Sequence, residues 1–326
     1  MTDLIVRRLI LMVPMLLGIS IITFLIINAA PGDPVTLMLA ESRAGGRVSQ
    51  ADLEAAKEKF GLNKPLPLRY FDWISQIVRG NFGRSLVTGR PVLELFLEKL
   101  PNTIKLSGLS LLLALAIGLP LGILSAVKQY SVLDHALTFF AFVGISVPTF
   151  WLGLMLIYVF AVWAAIFPIH GMFTVGLEGG LFASFWDSFM HYVLPVTAIT
   201  LSRIAAYIRF QRSSMLEVIR QDYIRTARAK GLTERAVLLV HAWRNALLSI
   251  ITLLGFTIVI LVEGSIVIEF IYAWPGMGLL GITAVNNRDY NIIMAIVMLS
   301  AVGILLGNLL ADILYALVDP RVRYAR

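Results

Sequence analysis

Five long stretches without Asp, Glu, Lys or Arg organise the chain: Leu9 to Gly32, Leu106 to Val127, His135 to Leu177, Asn245 to Val262 and Tyr290 to Ala311. Each is near or beyond the roughly 20 apolar residues that a helix needs to cross a bilayer. The third is too long for one helix, and Pro168 with Gly171 predicts its exit around Phe167. A further span, Tyr192 to Phe210, is interrupted only by Arg203 and Arg209. The pattern predicts an all-α membrane protein of six transmembrane helices.

Basic residues in short loops are retained on the cytoplasmic side. Arg7 and Arg8 precede the first helix, Lys128 lies between the second and third, and eight basic residues run from Arg209 to Arg244. Arg321, Arg323 and Arg326 follow the sixth. No Lys or Arg separates the third helix from the fourth, and only Arg288 separates the fifth from the sixth. Both termini are therefore expected in the cytoplasm. The divisions that follow are 1–30 (N-terminus and first helix), 31–102 (outer domain), 103–210 (helices two to four), 211–246 (cytoplasmic loop), 247–318 (helices five and six) and 319–326 (tail).

The outer segment carries ten basic residues, which is compatible with its side because long loops translocate largely regardless of charge. Its length marks a small extracytoplasmic domain. Ser49-Gln50-Ala51-Asp52 resembles a capping box before a helix over Leu53 to Phe60, with Gly61 as its stop. A second short helix is expected over Leu68 to Val78, closed by Gly80. A cleaved signal peptide is the competing reading of the N-terminus. The apolar run exceeds a normal signal core and Pro31 would follow the cut, so the segment is retained as a helix.

Composition agrees with a bilayer protein, at 58% hydrophobic and 14% charged residues and a mean hydropathy of +0.83. The absence of cysteine removes disulfides, thiolate catalysis and sulfur-ligated metals together. His135, His170, His191 and His241 fall on different segments and form no spaced metal set. No Gly-Lys dipeptide occurs, so no Walker A phosphate loop exists here, and any ATP used must be bound by another subunit. The net charge of +7 follows the topology, and no nucleic-acid recognition module accompanies it.

The cytoplasmic loop carries the most specific local signal. Asp222 suits the positive start of a short helix, Ala227 and Ala229 permit close approach, and Gly231 fits a left-handed stop. Thr233 then caps a second helix with Glu234 in its first turn. A helix, a bend and a helix result, just below the membrane. Arg225, Arg228, Lys230 and Arg235 suit an acidic rim on a protein partner or the headgroups of anionic membrane lipid.

Ordered motifs extend over nearly the whole chain. They are Ala30-Pro31-Gly32-Asp33-Pro34, Gly61-Leu62, Asn81-Phe82-Gly83-Arg84-Ser85-Leu86, Leu100-Pro101-Asn102-Thr103 and Ser146-Val147-Pro148-Thr149-Phe150-Trp151-Leu152-Gly153. Arg212-Ser213-Ser214-Met215-Leu216, all of Asp222 to Leu232, Arg244-Asn245-Ala246-Leu247-Leu248, Trp274-Pro275-Gly276 and Asp319-Pro320-Arg321 follow. In this order and spacing the chain resembles the dipeptide and oligopeptide permease family of bacterial ABC importers.

That resemblance implies a type I importer fold, a place in the bacterial inner membrane and no catalysis in this chain. The segment holding Asp222, Tyr223, Arg225, Thr226, Ala227, Arg228, Ala229, Lys230, Gly231 and Leu232 resembles the family's coupling motif, whose helix docks in a groove of the ATPase. Implied partners are a second, homologous permease, two ATPase subunits carrying ATP and Mg²⁺, and an extracytoplasmic binding protein. Peptide is the expected substrate, with nickel chelates, glutathione and oligosaccharides as alternatives within the family. A self-contained secondary transporter or channel is the reading from another class, but coupling charges are few and no internal duplication is evident. The family commonly has Leu-Pro where this chain has Leu248-Ser249, which alters the constraint on entry into the fifth span.

Ionisable residues within the membrane are default functional candidates. Arg203 lies nine residues before Arg212, about 13 Å deeper at helical rise, and could meet a passing peptide carboxylate or snorkel to the inner headgroups. Glu263 is a candidate for substrate-amine contact, whereas Glu269, before Trp274-Pro275-Gly276, reads as an acceptor for loop amides. Asp312 is expected to serve packing or hydrogen bonding. Pro148 should kink the third helix, either widening a central path or serving packing alone. In the outer domain, Arg43, Arg47, Arg79, Arg84 and Arg90 are available to a binding protein or to solvent.

Overall fold

A computed structural model describes residues 2–29, 63–177, 179–247, 250, 251, 254 and 265–318. The described residues are almost wholly helical, with one isolated bridge between Arg84 and Pro91 in place of any strand. In order they form α1 (Thr2–Ala29), α2 (Leu66–Val78), α3 (Val92–Val127), α4 (Val132–Ser146), α5 (Thr149–Leu156) and α6 (Leu181–Ile219). After these come α7 (Asp222–Ala229), α8 (Glu234–Ala236), α9 (Ile266–Ile271), α10 (Met277–Asn286) and α11 (Tyr290–Val318).

Among the described residues, four helices are long and apolar enough to cross a bilayer, over Ile5–Ala29, Val92–Val127, Leu181–Ile219 and Tyr290–Leu310. A fifth is made if α4 and α5 count as one span, the latter prolonged by a π-helical turn over Ile157–Trp163. Most of the expected fifth span, together with Glu263, lies outside the described residues, as do Arg43, Arg47, the capping box at Ser49 and the Asp319 motif.

Two spans are longer than the apolar runs that announced them. α3 begins fourteen residues before Leu106 and takes in Glu94, Glu98 and Lys99, polar positions on helix that continues beyond the apolar core. α6 extends the expected Tyr192 to Phe210 span at both ends and runs unbroken through Pro195. The third span differs in kind. Where a kink was expected, Val147 leaves helical geometry, Pro148 takes the N-cap position of α5, and the two halves meet at 99°. Proline tolerates a helix start, where its missing N–H costs nothing, far better than an interior position.

The described residues divide into two compact units, those within 102–278 and 306–318 and those within 2–101 and 279–305. In the second, α2 lies on α1 through Phe24, whose ring centroid is 5.5 Å from Tyr70 and 5.7 Å from Trp73, and Ser20 shares a 2.8 Å hydrogen bond with the Tyr70 hydroxyl. Val92, Leu95, Ala284, Ile292 and Ala295 form its core. Beside that core the buried Asp289 accepts a bond from Ser85 Oγ at 2.6 Å, so the turn after Asn81 is tied to the start of α11.

In the first unit, α6 is the central rod. Leu111, Ala114, Ala141, Ile204, Ala205, Tyr207, Ile208 and Ile250 form a core in which α3 and α4 lie against it. Close approach depends on glycine. A Cβ at Gly122 would fall 2.7 Å from Cβ of Gln211 and 2.9 Å from the Ile208 carbonyl, and one at Gly144 would fall 2.7 Å from Cβ of Ala205. A second core, around Leu106, Ile199, Ile268, Tyr272 and Trp274, lies toward the other end of α6.

Candidate functional site: the helix after the fourth span

α7 begins three residues after α6 ends. Asp222 stands in its first turn and Arg228 in its last, each favourable with respect to the helix dipole. Its faces are sharply divided. Ile224 and Ala227 are buried with Ala126, Met215, Val237, Ala242 and Ala246 in a compact apolar cluster. Asp222, Tyr223, Arg225, Thr226, Ala229 and Lys230 are exposed, and so is Leu232 beyond the helix. Ala227, small enough for close approach, makes its close contacts within this chain. Ala229 keeps that role available.

The helix ends as its sequence requires. Gly231 adopts φ of +78°, and its N–H bonds the carbonyl of Arg228 at 2.9 Å. Thr233 caps α8 by accepting from the N–H of Ala236, and Glu234 occupies the first turn. α8 passes into a π-helical turn over Val237–Ala242. Arg228 closes the bend by donating from Nη2 and Nε to the two carboxylate oxygens of Glu234, at 2.6 and 3.1 Å. The guanidinium holds the Glu234 carboxyl below its ordinary range and is itself held protonated by it. Arg228 is thus engaged within the loop, while Lys230 and Arg235 remain exposed cations on it.

The remaining candidates lie apart from this loop. Arg203, half-buried on α6, donates from Nη1 to the carbonyl of Ser107 on α3 at 3.1 Å, so it reaches sideways to its neighbour. Among the described residues no carboxylate lies within ion-pair distance of it. Pro148 is exposed at the break in the third span, on an open apolar hollow of about 490 Å³ lined by Phe139, Phe142, Val143, Phe150 and Trp151. Glu269 has the geometry of a loop acceptor, since it takes bonds from Gly278 N–H at 2.7 Å and Thr103 Oγ at 2.8 Å, and Thr103 Oγ accepts from Met277 N–H at 2.7 Å.

Two ion-bearing contacts escaped the sequence reading. Asp134 pairs with Arg212, 78 positions away, and Asp289 with Ser85, 204 positions away. Arg212 and Ser85 stand in quoted motifs, but nothing local in the sequence points to their partners.

The profile described as "Binding-protein-dependent transport system inner membrane component" matches residues 118–324, and that for the N-terminal part of such membrane components matches residues 1–107. The oligopeptide transport system permease protein AppB of Bacillus subtilis is 46% identical over 321 residues, covering 98% of this chain and 99% of the relative. The dipeptide transport system permease protein DppB of Escherichia coli K12 is 38% identical over 343 residues, with all of both chains covered. A chain of the MetNI methionine ABC transporter, solved facing inward, superposes with a TM-score of 0.54 at 18% identity, covering 70% of this chain and 97% of that one.

Proposed function

The chain belongs to the family of binding-protein-dependent transport system inner membrane components, a multi-pass inner-membrane permease, and from that premise we propose that it forms half of the translocation path of an ATP-driven importer of di- and oligopeptides. The observation that carries the coupling part of this reading is α7: its inward face is locked into the chain while its outward face, Tyr223, Arg225, Thr226, Ala229, Lys230 and Leu232, is left uncovered.

In this reading the exposed face docks in a groove of an ATPase subunit that binds ATP and Mg²⁺. A second permease completes the path, a second ATPase serves it, and an extracytoplasmic binding protein delivers substrate. Both termini and α7 are cytoplasmic, and the outer face of the bundle is reached from the periplasmic side. The chain performs no chemistry. Nucleotide-dependent closure of the ATPases shifts the equilibrium between inward-open and outward-open bundles by the difference in their affinity for the two states. Arg203 and the break at Pro148 are candidates for the path: Arg203 either meets the peptide carboxylate or, in keeping with its bond to the Ser107 carbonyl, joins α6 to α3, and the break either widens the path or serves packing alone. Glu263 remains a candidate for contact with the substrate amine.

Purification of this chain from its own membrane tests the proposal. The expected preparation contains a second permease and ATPases and hydrolyses ATP. Peptide uptake by vesicles holding this chain alone, driven by an ion gradient, would overturn it.

A further inference from the structure

Asp134 and Arg212 take no part in the roles assigned above. Asp134, in the first turn of α4, is 1% exposed. Arg212, on the inner end of α6, grips it with two parallel bonds, Nε to Oδ1 at 2.7 Å and Nη2 to Oδ2 at 2.9 Å. The remaining capacity of the carboxylate is filled by Ser125 Oγ from the end of α3 and by the N–H of Tyr130 at 2.9 Å. Tyr130 presents that N–H from a left-handed conformation, φ +65°, in the turn between α3 and α4. Ser131 Oγ in turn accepts the N–H of Asp134. One buried carboxylate therefore joins the end of α3, the turn and the start of α4 to α6.

Ten positions along from Arg212, α7 begins. Between them Met215 is fully buried in the same apolar cluster as Ile224 and Ala227 of α7, and Ser214 Oγ donates to the carbonyl of Ala246 at 3.0 Å. The docking helix is thus seated on the inner end of α6, and that end is fixed to α4. The bidentate pair holds its register, because separating it leaves the buried Asp134 carboxylate without its counter-ion.

We propose that the Asp134–Arg212 pair is a positioning strut that carries displacement of the docking helix α7 into the third span. This rests on the reading of α7 as the contact with an ATPase.

The chain has no cysteine of its own, so Ser146→Cys, exposed at the end of α4, reports on the third span. The experiment uses the complex purified through this chain and compares maleimide labelling of that cysteine with and without ATP and vanadate, alongside the nucleotide trapped on the ATPases. With the strut intact, trapping alters the labelling rate. With Asp134→Asn, nucleotide is still trapped but the labelling response shrinks by about fivefold or more, the scale of an ordinary coupling between sites. The exchanged pair Asp134→Arg with Arg212→Asp regains part of the response.

An unchanged response in Asp134→Asn overturns the proposal. So does a parallel loss of trapped nucleotide, response and co-purified ATPase, which would mark the pair as a folding contact only. A wild-type complex without any ATPase would overturn the docking reading itself, and the strut with it.

Discussion

Gly231 has φ of +78° and open space where a side chain would project, so substitution there is resisted by the backbone and not by neighbours. Gly231→Val should cost about 1–2 kcal/mol locally, deflect α8 and reduce co-purified ATPase activity severalfold. Gly231→Asn, which tolerates the left-handed region, should retain most of that activity. Gly122 is the opposite case. Gly122→Ala forces its new methyl against Gln211 and the Ile208 carbonyl, and should destabilise by about 1–3 kcal/mol, read as a lower melting midpoint in detergent. Gly108→Ala on the same helix meets nothing within 4 Å and should raise the midpoint slightly or leave it unchanged.

Among the elements, the bend between α7 and α8 has a titratable fastening. Glu234 has a lower carboxyl pKa in the folded loop than when released, because Arg228 is bonded to it. The stabilisation it adds is complete above its ordinary value of 4.5 and is lost as pH falls through the depressed folded value. Both side chains are well exposed, so the contribution is small and screened by salt. Hydrogen exchange at residues 228–236, corrected for intrinsic rates, should be constant from pH 7 to 5 and quicken below 4.5, and Arg228→Ala should abolish the step.

Local chemistry made these elements readable in advance. Gly231 and Gly80 act through their own backbone and Thr233 through a hydroxyl on a nearby N–H, so short helices and their ends followed from neighbouring residues. The true lengths of α3 and α6 did not, because Lys105 and Arg212 end an apolar run without ending a helix. Nor could the 99° break be read from Pro148, since proline kinks an interior and starts a new helix equally well, and packing decides between them.

For the whole molecule, hydrophobic runs alone dictated a helical membrane protein, and ordered motifs over the full length pointed to its family. The contacts that hold it together were less legible. Asp134–Arg212 and Thr103–Glu269 join residues 78 and 166 positions apart, and a single sequence has no local signal for such pairs. Orientation can be tested directly because the chain contains no cysteine. A membrane-impermeant maleimide should label exposed Lys128→Cys, off the docking face, in inside-out vesicles and not in right-side-out cells. The reverse result would invert the expected topology.

α6 has 39 residues in one continuous helix, about 58 Å of rod against roughly 30 Å of hydrocarbon. Much of it therefore stands clear of the lipid tails and has the length of a lever arm. A tilt of about 10° around its midpoint would sweep either tip through about 5 Å, close to the pitch of one helical turn. Angular precision, more than strength of grip, is then what the inner tip demands of anything that pushes on it.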